Sequence, residues 1–352
     1  MRLELINSVK ENEYLGKSIL SSEGTVLLRA GVKLTSAYIN RLKNLGVLYV
    51  YVEDERLADV EVEDERLFEL KSVTLKSMST VIKSIHDCNG KKLKDSLSSV
   101  ENLVNYIIDT GDVNNSLFDI KTHDNYTYMH SLDTCVMSTF LGVSANLDRW
   151  EMKDLAVGAI LHDIGKTKID AAIINKPGKL TPEEYEEMKK HPAYGGEMLR
   201  KNYSISDIAV NIVEQHHERV DGKGYPLGLA GNSISKYAKI VCICDVYDAV
   251  SNNRSYRAKF KPNDAYELIL SGSGTSFDEK MICNFKNTFA IFPLGCKVKL
   301  SNGEEGYVIR QNKGFPDRPV IRIFNEVNGS DFKNYTELDL LNISNIVIEC
   351  IA

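Results

Sequence analysis

The sequence is short of everything that would tie it to a membrane, an oxidising compartment or a nucleic-acid polymer. It has no run of about 18 apolar residues, the length a bilayer-spanning helix needs. The N-terminal stretch MRLELINSVKENEYLGK lacks the apolar core of a secretory signal. Positive charge is not in excess: 43 Lys and Arg stand against 49 Asp and Glu, a formal net charge of -6. That argues against a polymer partner, which is held by neutralising many phosphates, but leaves a small anion open. The 7 cysteines are odd in number and form no CxxC pair; only Cys242 and Cys244, in IVCICD, come close. They read as small buried apolar side chains in a reducing, cytoplasmic setting. The N-terminal part carries no Gly-rich phosphate loop and no receiver-type phosphorylation signature.

What is present suits a globular chain of more than one domain: 352 residues, 43% hydrophobic and 26% charged. Residues 1–60 read as a small α/β unit. GTVLLRAGVKL predicts a strand and turn, Thr35 caps a helix with Ile39, Leu42 and Leu45 on its apolar face, Gly46 stops it, and VLYVYVED is a strand. The hexapeptide VEDERL occurs at 52–57 and again at 62–67, and predicts an acidic linker or a solvated helix start. Residues 61–119 form a helical linker, with Leu75, Met78, Val81, Ile82 and Ile85 as one stripe.

From 120 to 290 the pattern is dominantly helical. Val157, Ile160, Leu161 and Ile164 make an i, i+3, i+4, i+7 stripe that Gly165 is placed to end. Thr181, Pro182 and Glu184 make a capping box with proline at the first helical position. Ile205, Ile208, Ala209, Ile212 and Val213 share one face, and AKIVCICDVYDAV reads as a buried helix. Residues 291–352 alternate apolar and polar residues around Asn302-Gly303, a two-residue hairpin signal, and predict a small β-rich domain.

The histidines concentrate on the central helices near carboxylates. His162 is followed by Asp163, His216 and His217 are adjacent, and Asp245 lies one helix later. His216 continues the stripe of Ala209, Ile212 and Val213, so it points inward, where an unpaired imidazole costs energy. Adjacent helical residues point about 100° apart, so one ligand seat rarely takes both. Two ions about 3.5–4 Å apart offer two seats, and Asp163, with two carboxylate oxygens, can bridge them. Imidazole and carboxylate donors suit iron, manganese, nickel, cobalt or zinc better than calcium. Such a pair activates water for in-line attack on phosphorus, and Lys166 is placed to neutralise a phosphate oxygen.

The segments YTYMHS (126–131), HDIGK (162–166), HPAYG (191–195), HHERVDGKGYP (216–226) and DVYDAVSNNRSYR (245–257) occur in that order. In them the chain resembles the HD-GYP family, a branch of the HD-domain metal-dependent phosphohydrolases, over about residues 120–290. The fold class it implies is multidomain and mainly α. An all-α HD-type catalytic domain would lie between the small N-terminal α/β unit and the small C-terminal β domain.

The activity implied is that of a cyclic di-GMP phosphodiesterase yielding linear pGpG or, further on, GMP. The implied metal ligands are His130, His162, Asp163, His191, His216, His217 and Asp245. Asp163 and Lys166 would be catalytic, with Lys166 on the scissile phosphate and Asp248, Arg254 and Arg257 among the substrate contacts. Some members hold a third ion with a glutamate one turn before the first histidine. Tyr126 stands there in this chain, so two ions and pGpG as the main product are expected.

Gly222 and Gly224 allow a tight turn and Pro226 stiffens its exit. The family uses the Gly224-Tyr225-Pro226 loop near the substrate and for partner proteins; a plain structural turn reads equally well. Glu218 reads either as an anchor for a ligand histidine or as a solvated helix residue. The terminal units are expected to serve regulation or homodimer contacts. Two alternatives stay open. One is hydrolysis of another cyclic dinucleotide or nucleotide phosphoester; the other is a non-catalytic cyclic di-GMP sensor.

Overall fold

In a computed structural model, the structure describes residues 1–21, 23–62, 64–87, 89–111, 126–202, 205–252, 262–324 and 335–352. His123, Arg254 and Arg257 lie outside them, as do the side chains of Tyr126, Asn202 and Asn252. No described helix is long and apolar enough to cross a membrane.

The N-terminal unit pairs β1 (Arg2–Leu5) antiparallel with β4 (Tyr49–Val52), and β2 (Ile19–Leu20) with β3 (Val26–Leu28). Its helix α1 (Ser36–Asn44) starts where Thr35 accepts from the Tyr38 amide and stops before Gly46, whose φ of 75° suits a residue without Cβ. Of the expected apolar face, Ile39 and Leu42 are buried, while Leu45 caps the helix end and is half-buried. The two VEDERL copies fold differently. In the first, Asp54 caps a 3-10 turn, Glu55–Leu57, and Leu57 is fully buried. In the second, Asp64 caps α2 (Glu65–His86) by accepting from Leu67 N. Only the second fits the expected helix start; the first belongs to the core, because the strand before it delivers Leu57 inward.

Helices α2 and α3 (Gly90–Thr110) form an antiparallel pair that packs on α4 (Tyr126–Ser144) and α5 (Arg149–Leu161). They are therefore more than a linker: buried Lys71 on α2 pairs with Asp133 on α4 at 2.9 Å. Beyond α5 come a 3-10 turn (Ile164–Lys168), α6 (Ala171–Ile174), α7 (Pro182–Met188), α8 (His191–Asn202) and α9 (Asp207–Gln215). Then follow α10 (Lys236–Asn252), α11 (Pro262–Ser271) and α12 (Glu279–Thr288). The capping box of Thr181 and Glu184 opens α7, with Pro182 in its first turn.

The expected stop at Gly165 falls elsewhere. Helix α5 ends at Leu161, and Gly165 sits inside the following turn. What demands glycine there is a close approach, since a Cβ would meet the His191 carbonyl oxygen at 1.9 Å. That contact draws the turn carrying Asp163 against the start of α8.

The C-terminal sheet has the order β8-β7-β6-β5-β9 and is antiparallel throughout. Its strands are β5 (Lys297–Leu300), β6 (Glu305–Asn312), β7 (Phe315–Phe324), β8 (Tyr335–Asp339) and β9 (Ile348–Ile351). The predicted hairpin forms with three loop residues instead of two. Leu300 N donates to Glu304 O, and Gly303 takes φ 87°, so a left-handed glycine closes a turn over Ser301-Asn302-Gly303.

The two ends of the chain meet. Leu3 N donates to Gly295 O at 2.9 Å, and the buried Tyr51 hydroxyl donates to Leu294 O at 3.2 Å. Arg322 on β7 reaches across to Arg56 O and to Asp59. The N-terminal unit and the C-terminal sheet thus share an interface, although the helical segment separates them in sequence.

Candidate metal centre

The site is built from helix ends. An α-helix leaves its last four carbonyls without partners. His162 directly follows α5 and His216 directly follows α9, and each directs Nδ1 at the carbonyl three residues back. The distances are 2.8 Å to Ala159 O and 2.9 Å to Val213 O. His191, three residues after the last residue of α7, does the same to Met188 O at 2.7 Å. With Nδ1–H donated, each ring keeps its Nε2 lone pair for the interior. His130 on α4 is held differently: its Nδ1 faces the Asp248 carboxylate of α10 at 2.7 Å.

These Nε2 atoms converge on two carboxylates. Asp163 Oδ1 lies 3.4 Å from His191 Nε2 and 3.9 Å from His216 Nε2. Its Oδ2 lies 3.4 Å from His162 Nε2 and 3.9 Å from His130 Nε2. Asp245 Oδ1 is 3.0 Å from His130 Nε2 and 3.8 Å from His162 Nε2, while Oδ2 is 3.8 Å from His217 Nδ1. The donor atoms fall into two groups, each within 4.8 Å: Asp163, His191, His216 and His217; and His130, His162 and Asp245. His162 Nε2 and Asp163 Oδ1 are buried with no hydrogen-bond partner. Nitrogen and carboxylate donors left bare in a buried cluster fit divalent metal ions.

The electrostatics agree with a site ready to bind cations. Burial lowers His191 to about 4 and His217 to about 3 despite the opposing carboxylates of Asp163 and Asp245, and burial with the adjoining imidazoles lowers His216 as well. All three are therefore neutral at neutral pH, the form in which an imidazole can ligate a metal. Burial works against ionised Asp163, yet Lys166 and His162 hold its carboxyl well below the usual range. His130 is the exception: burial opposes its charge, but Asp245 and Asp248 raise it to about 10, so a metal bound there would have to displace the proton on Nε2. Lys166 Nζ stands 2.5 Å from Asp163 Oδ2 and remains partly exposed.

The seven residues expected as ligands thus share one cluster, with Lys166 beside them. Asp248 does not fit the expected place among substrate contacts: it is 3% exposed and backs His130 from α10. Arg254 and Arg257, the other expected contacts, fall outside the described residues.

Glu218 matches neither of its two expected roles. It is buried, and its carboxylate accepts from Leu227 N at 2.7 Å and Leu229 N at 2.9 Å. It folds the 224–229 loop back over the site. Gly224 is required beneath that loop, since a Cβ would come within 2.4 Å of Arg219 N. Tyr225 consequently lies against His217, ring centroids 4.7 Å apart. Glu218→Ala would leave two amides without their acceptor, each charge-assisted bond worth about 1.5–3 kcal/mol. Amide exchange at Leu227 and Leu229 is expected to accelerate at least tenfold in that variant; unchanged protection would show that the loop holds itself.

The fold and the cluster define a class. Residues 122–281 match the HD domain family, and residues 297–351 match the KOW domain associated with the HD domain. The central segment is an HD domain, and it carries the Gly224-Tyr225-Pro226 sequence in which the chain resembles the HD-GYP family. A cyclic di-GMP phosphodiesterase of Pseudomonas aeruginosa is 36% identical over 209 residues, 59% of this chain and 50% of that protein. One of Vibrio cholerae is 34% identical over 205 residues, 54% of this chain and 42% of that protein. The chain therefore spans half or less of the length of these relatives. A HDG"Y"P protein from Bdellovibrio bacteriovorus has the same fold, with a TM-score of 0.53 over 80% of this chain and 97% of that one, at 18% identity.

Proposed function

We propose that the chain is a metal-dependent phosphodiesterase that hydrolyses cyclic di-GMP to linear pGpG. One observation carries this reading. The two oxygens of Asp163 face two different imidazole groups, His191 and His216 on one side and His162 and His130 on the other. A carboxylate so divided suits a bridge between two ions. One seat would be formed by His130, His162 and Asp245, the other by His191, His216 and His217, with Asp163 shared. Iron or manganese suits these donors best, and nickel, cobalt or zinc is compatible.

When bound, the ions supply Lewis acidity and an activated water for in-line displacement at phosphorus. The chain's own residues do the rest. Asp163, kept ionised, would offer one carboxylate oxygen to each ion. Lys166, within reach of Asp163 and partly exposed, turns its ammonium to a non-bridging phosphate oxygen as substrate enters. Arg254 and Arg257 follow α10 and are assigned to the substrate's phosphate or guanine edges. With Tyr126 one turn before His130, no third carboxylate seat is provided, and pGpG is the product.

Asp248 acts through His130. Its carboxylate fixes the tautomer that leaves Nε2 as the ligand atom, an arrangement whose loss typically costs about 10–100-fold in metal affinity. Asp248→Asn is expected to weaken one of two metal-binding steps by that factor, read by titration of the metal-free protein. Equal weakening of both steps would argue for general damage to the fold.

The reading is tested by chromatography of cyclic di-GMP after incubation with the iron- or manganese-loaded protein, in parallel with cyclic GMP–AMP. Accumulation of pGpG supports it. Cyclic di-GMP left intact while cyclic GMP–AMP is cleaved would replace the substrate. Both left intact, with the dinucleotide bound and the metals in place, would make the chain a sensor.

A further inference from the structure

A cleft of about 720 Å³ runs outward from the metal centre, reached at its inner end by Asp163 and Lys166. Its volume lies within the range of small-ligand sites, about 300–1,000 Å³. One wall does not come from the HD domain. It is a face of α2, where Leu75, Met78 and Ile82 run along the cleft with Lys76 and Ser79 beside them, at the spacings that share a helical surface. This wall is fixed in place. Lys71, one turn earlier on α2, is the buried partner of Asp133 on α4. The tip of the β2–β3 hairpin clamps the outer side: Ser72 Oγ donates to Gly24 O at 2.7 Å, and a Cβ on Gly24 would meet Ser72 O at 2.4 Å.

The charged side chains along the described walls are Glu23, Lys76, Asp163 and Lys166. Lys166 and Asp163 already face each other at 2.5 Å. Lys76 is exposed, and no described carboxylate pairs with it. It is therefore a cation left open to the cleft, beside an apolar strip and on a different element from the metal-centre residues. A cyclic dinucleotide has matching chemistry. It carries two phosphodiesters on opposite sides of its ring, with apolar base faces between them. If one phosphodiester sits at the metals, the other must be met elsewhere.

We propose that α2 is the distal wall of the substrate cleft and that Lys76 binds the second, uncleaved phosphodiester of the cyclic dinucleotide. This rests on the phosphodiesterase reading above and names a residue of the chain outside the HD domain as part of the same site. A lysine there acts as a point charge on a phosphate. Its attraction is strengthened by the low-dielectric wall and weakened by salt.

The test is steady-state kinetics of the full-length, metal-loaded chain with cyclic di-GMP, comparing wild type with Lys76→Ala, Lys76→Glu and Lys76→Arg. Thermal midpoint and metal content are measured alongside. The alanine variant should raise KM about tenfold and the glutamate variant more, with kcat changed less than twofold. Arginine should restore KM to within about threefold, and the alanine effect should shrink as salt is raised. Unchanged KM in both the alanine and glutamate variants, or a fall confined to kcat, overturns the assignment while the phosphodiesterase reading stands. If wild type cleaves bis(p-nitrophenyl) phosphate but no cyclic dinucleotide, both readings fall together.

Discussion

Asp163→Asn is expected to lower the bound metal from two ions per chain to at most one, and to cut turnover of cyclic di-GMP by on the order of 10³-fold. The substitution keeps the shape of the side chain and removes what the site uses. Oδ1 is buried with no hydrogen-bond partner of its own, 3.4 Å from His191 Nε2. Oδ2 is shared among Lys166, His162 and His130. An amide offers one carbonyl oxygen and an NH2 group that cannot ligate, so whichever way it is turned one side of the cluster loses a donor. It also removes the negative charge against which Lys166 rests, leaving the ammonium beside the seat with only the more distant Asp245 to offset it. Both losses act against cation binding. Elemental analysis of the purified variant, with chromatography of the products, reads both outcomes. Two ions retained with turnover near wild type would mean that Asp163 is no bridge, and the dinuclear reading would fail with it.

How far the residues announced this centre depends on the range over which each is satisfied. Thr35, Thr181 and Glu184 were legible as caps because a cap closes its hydrogen bond within about three residues, and the structure closes them there. His216 was legible as inward-facing because it continues an apolar stripe into the end of its helix, whereas His162 was marked only by the Asp163 that follows it. What that stripe could not convey is the carbonyl three residues back that fixes each ring. That device is nonetheless local, and a histidine directly after a helical stripe is the signal for it.

The distant partners were not legible. Asp248 lies 118 positions from the His130 it supports; within its motif it read as a substrate contact. Glu218 binds amides 9 and 11 residues on, beyond the reach of any cap or turn pattern. The identical VEDERL copies make the same point, since one is a buried corner and the other a helix start. Only the strand before the first and the helix after the second distinguish them. Residues 61–119 read as a linker because their stripe shows that a face is buried and does not show against what. Lys71 and Asp133 supply the answer, and a paired charge inside a helical stripe carries no periodic signature.

The second large effect is expected far from the metals. Arg322 on β7, the strand next to the sheet edge, uses all five of its N–H donors: Nη1 to Arg56 O and Asp59 Oδ1, Nη2 to Asp59 Oδ2 and Glu337 Oε1, and Nε to Glu337 Oε1. Its guanidinium also lies 4.3 Å from the centre of the Tyr335 ring. Only 4% of the side chain is exposed, while Asp59 is 62% exposed. Removing the arginine therefore costs mainly the bonds to Arg56 O and Glu337 and the packing of its stem, because Asp59 is easily rehydrated.

Arg322→Ala is expected to destabilise the folded chain by about 2–4 kcal/mol in urea unfolding. Lysine should recover little, since a point charge cannot reproduce the fork. The hydrogen bond from Arg322 holds the Asp59 carboxyl below its ordinary range. A carboxyl lowered by folding adds stability above its unfolded value, and that contribution is lost as pH falls through the folded one. The gap between wild type and Arg322→Ala should accordingly narrow on acidification below about pH 4. A gap that stays constant through that range would place the whole effect in packing. The junction also bears on the cleft. The unit that Arg322 secures ends in the hairpin whose Gly24 rests on α2, so loosening it should raise KM for the dinucleotide while the metal content holds at wild-type level.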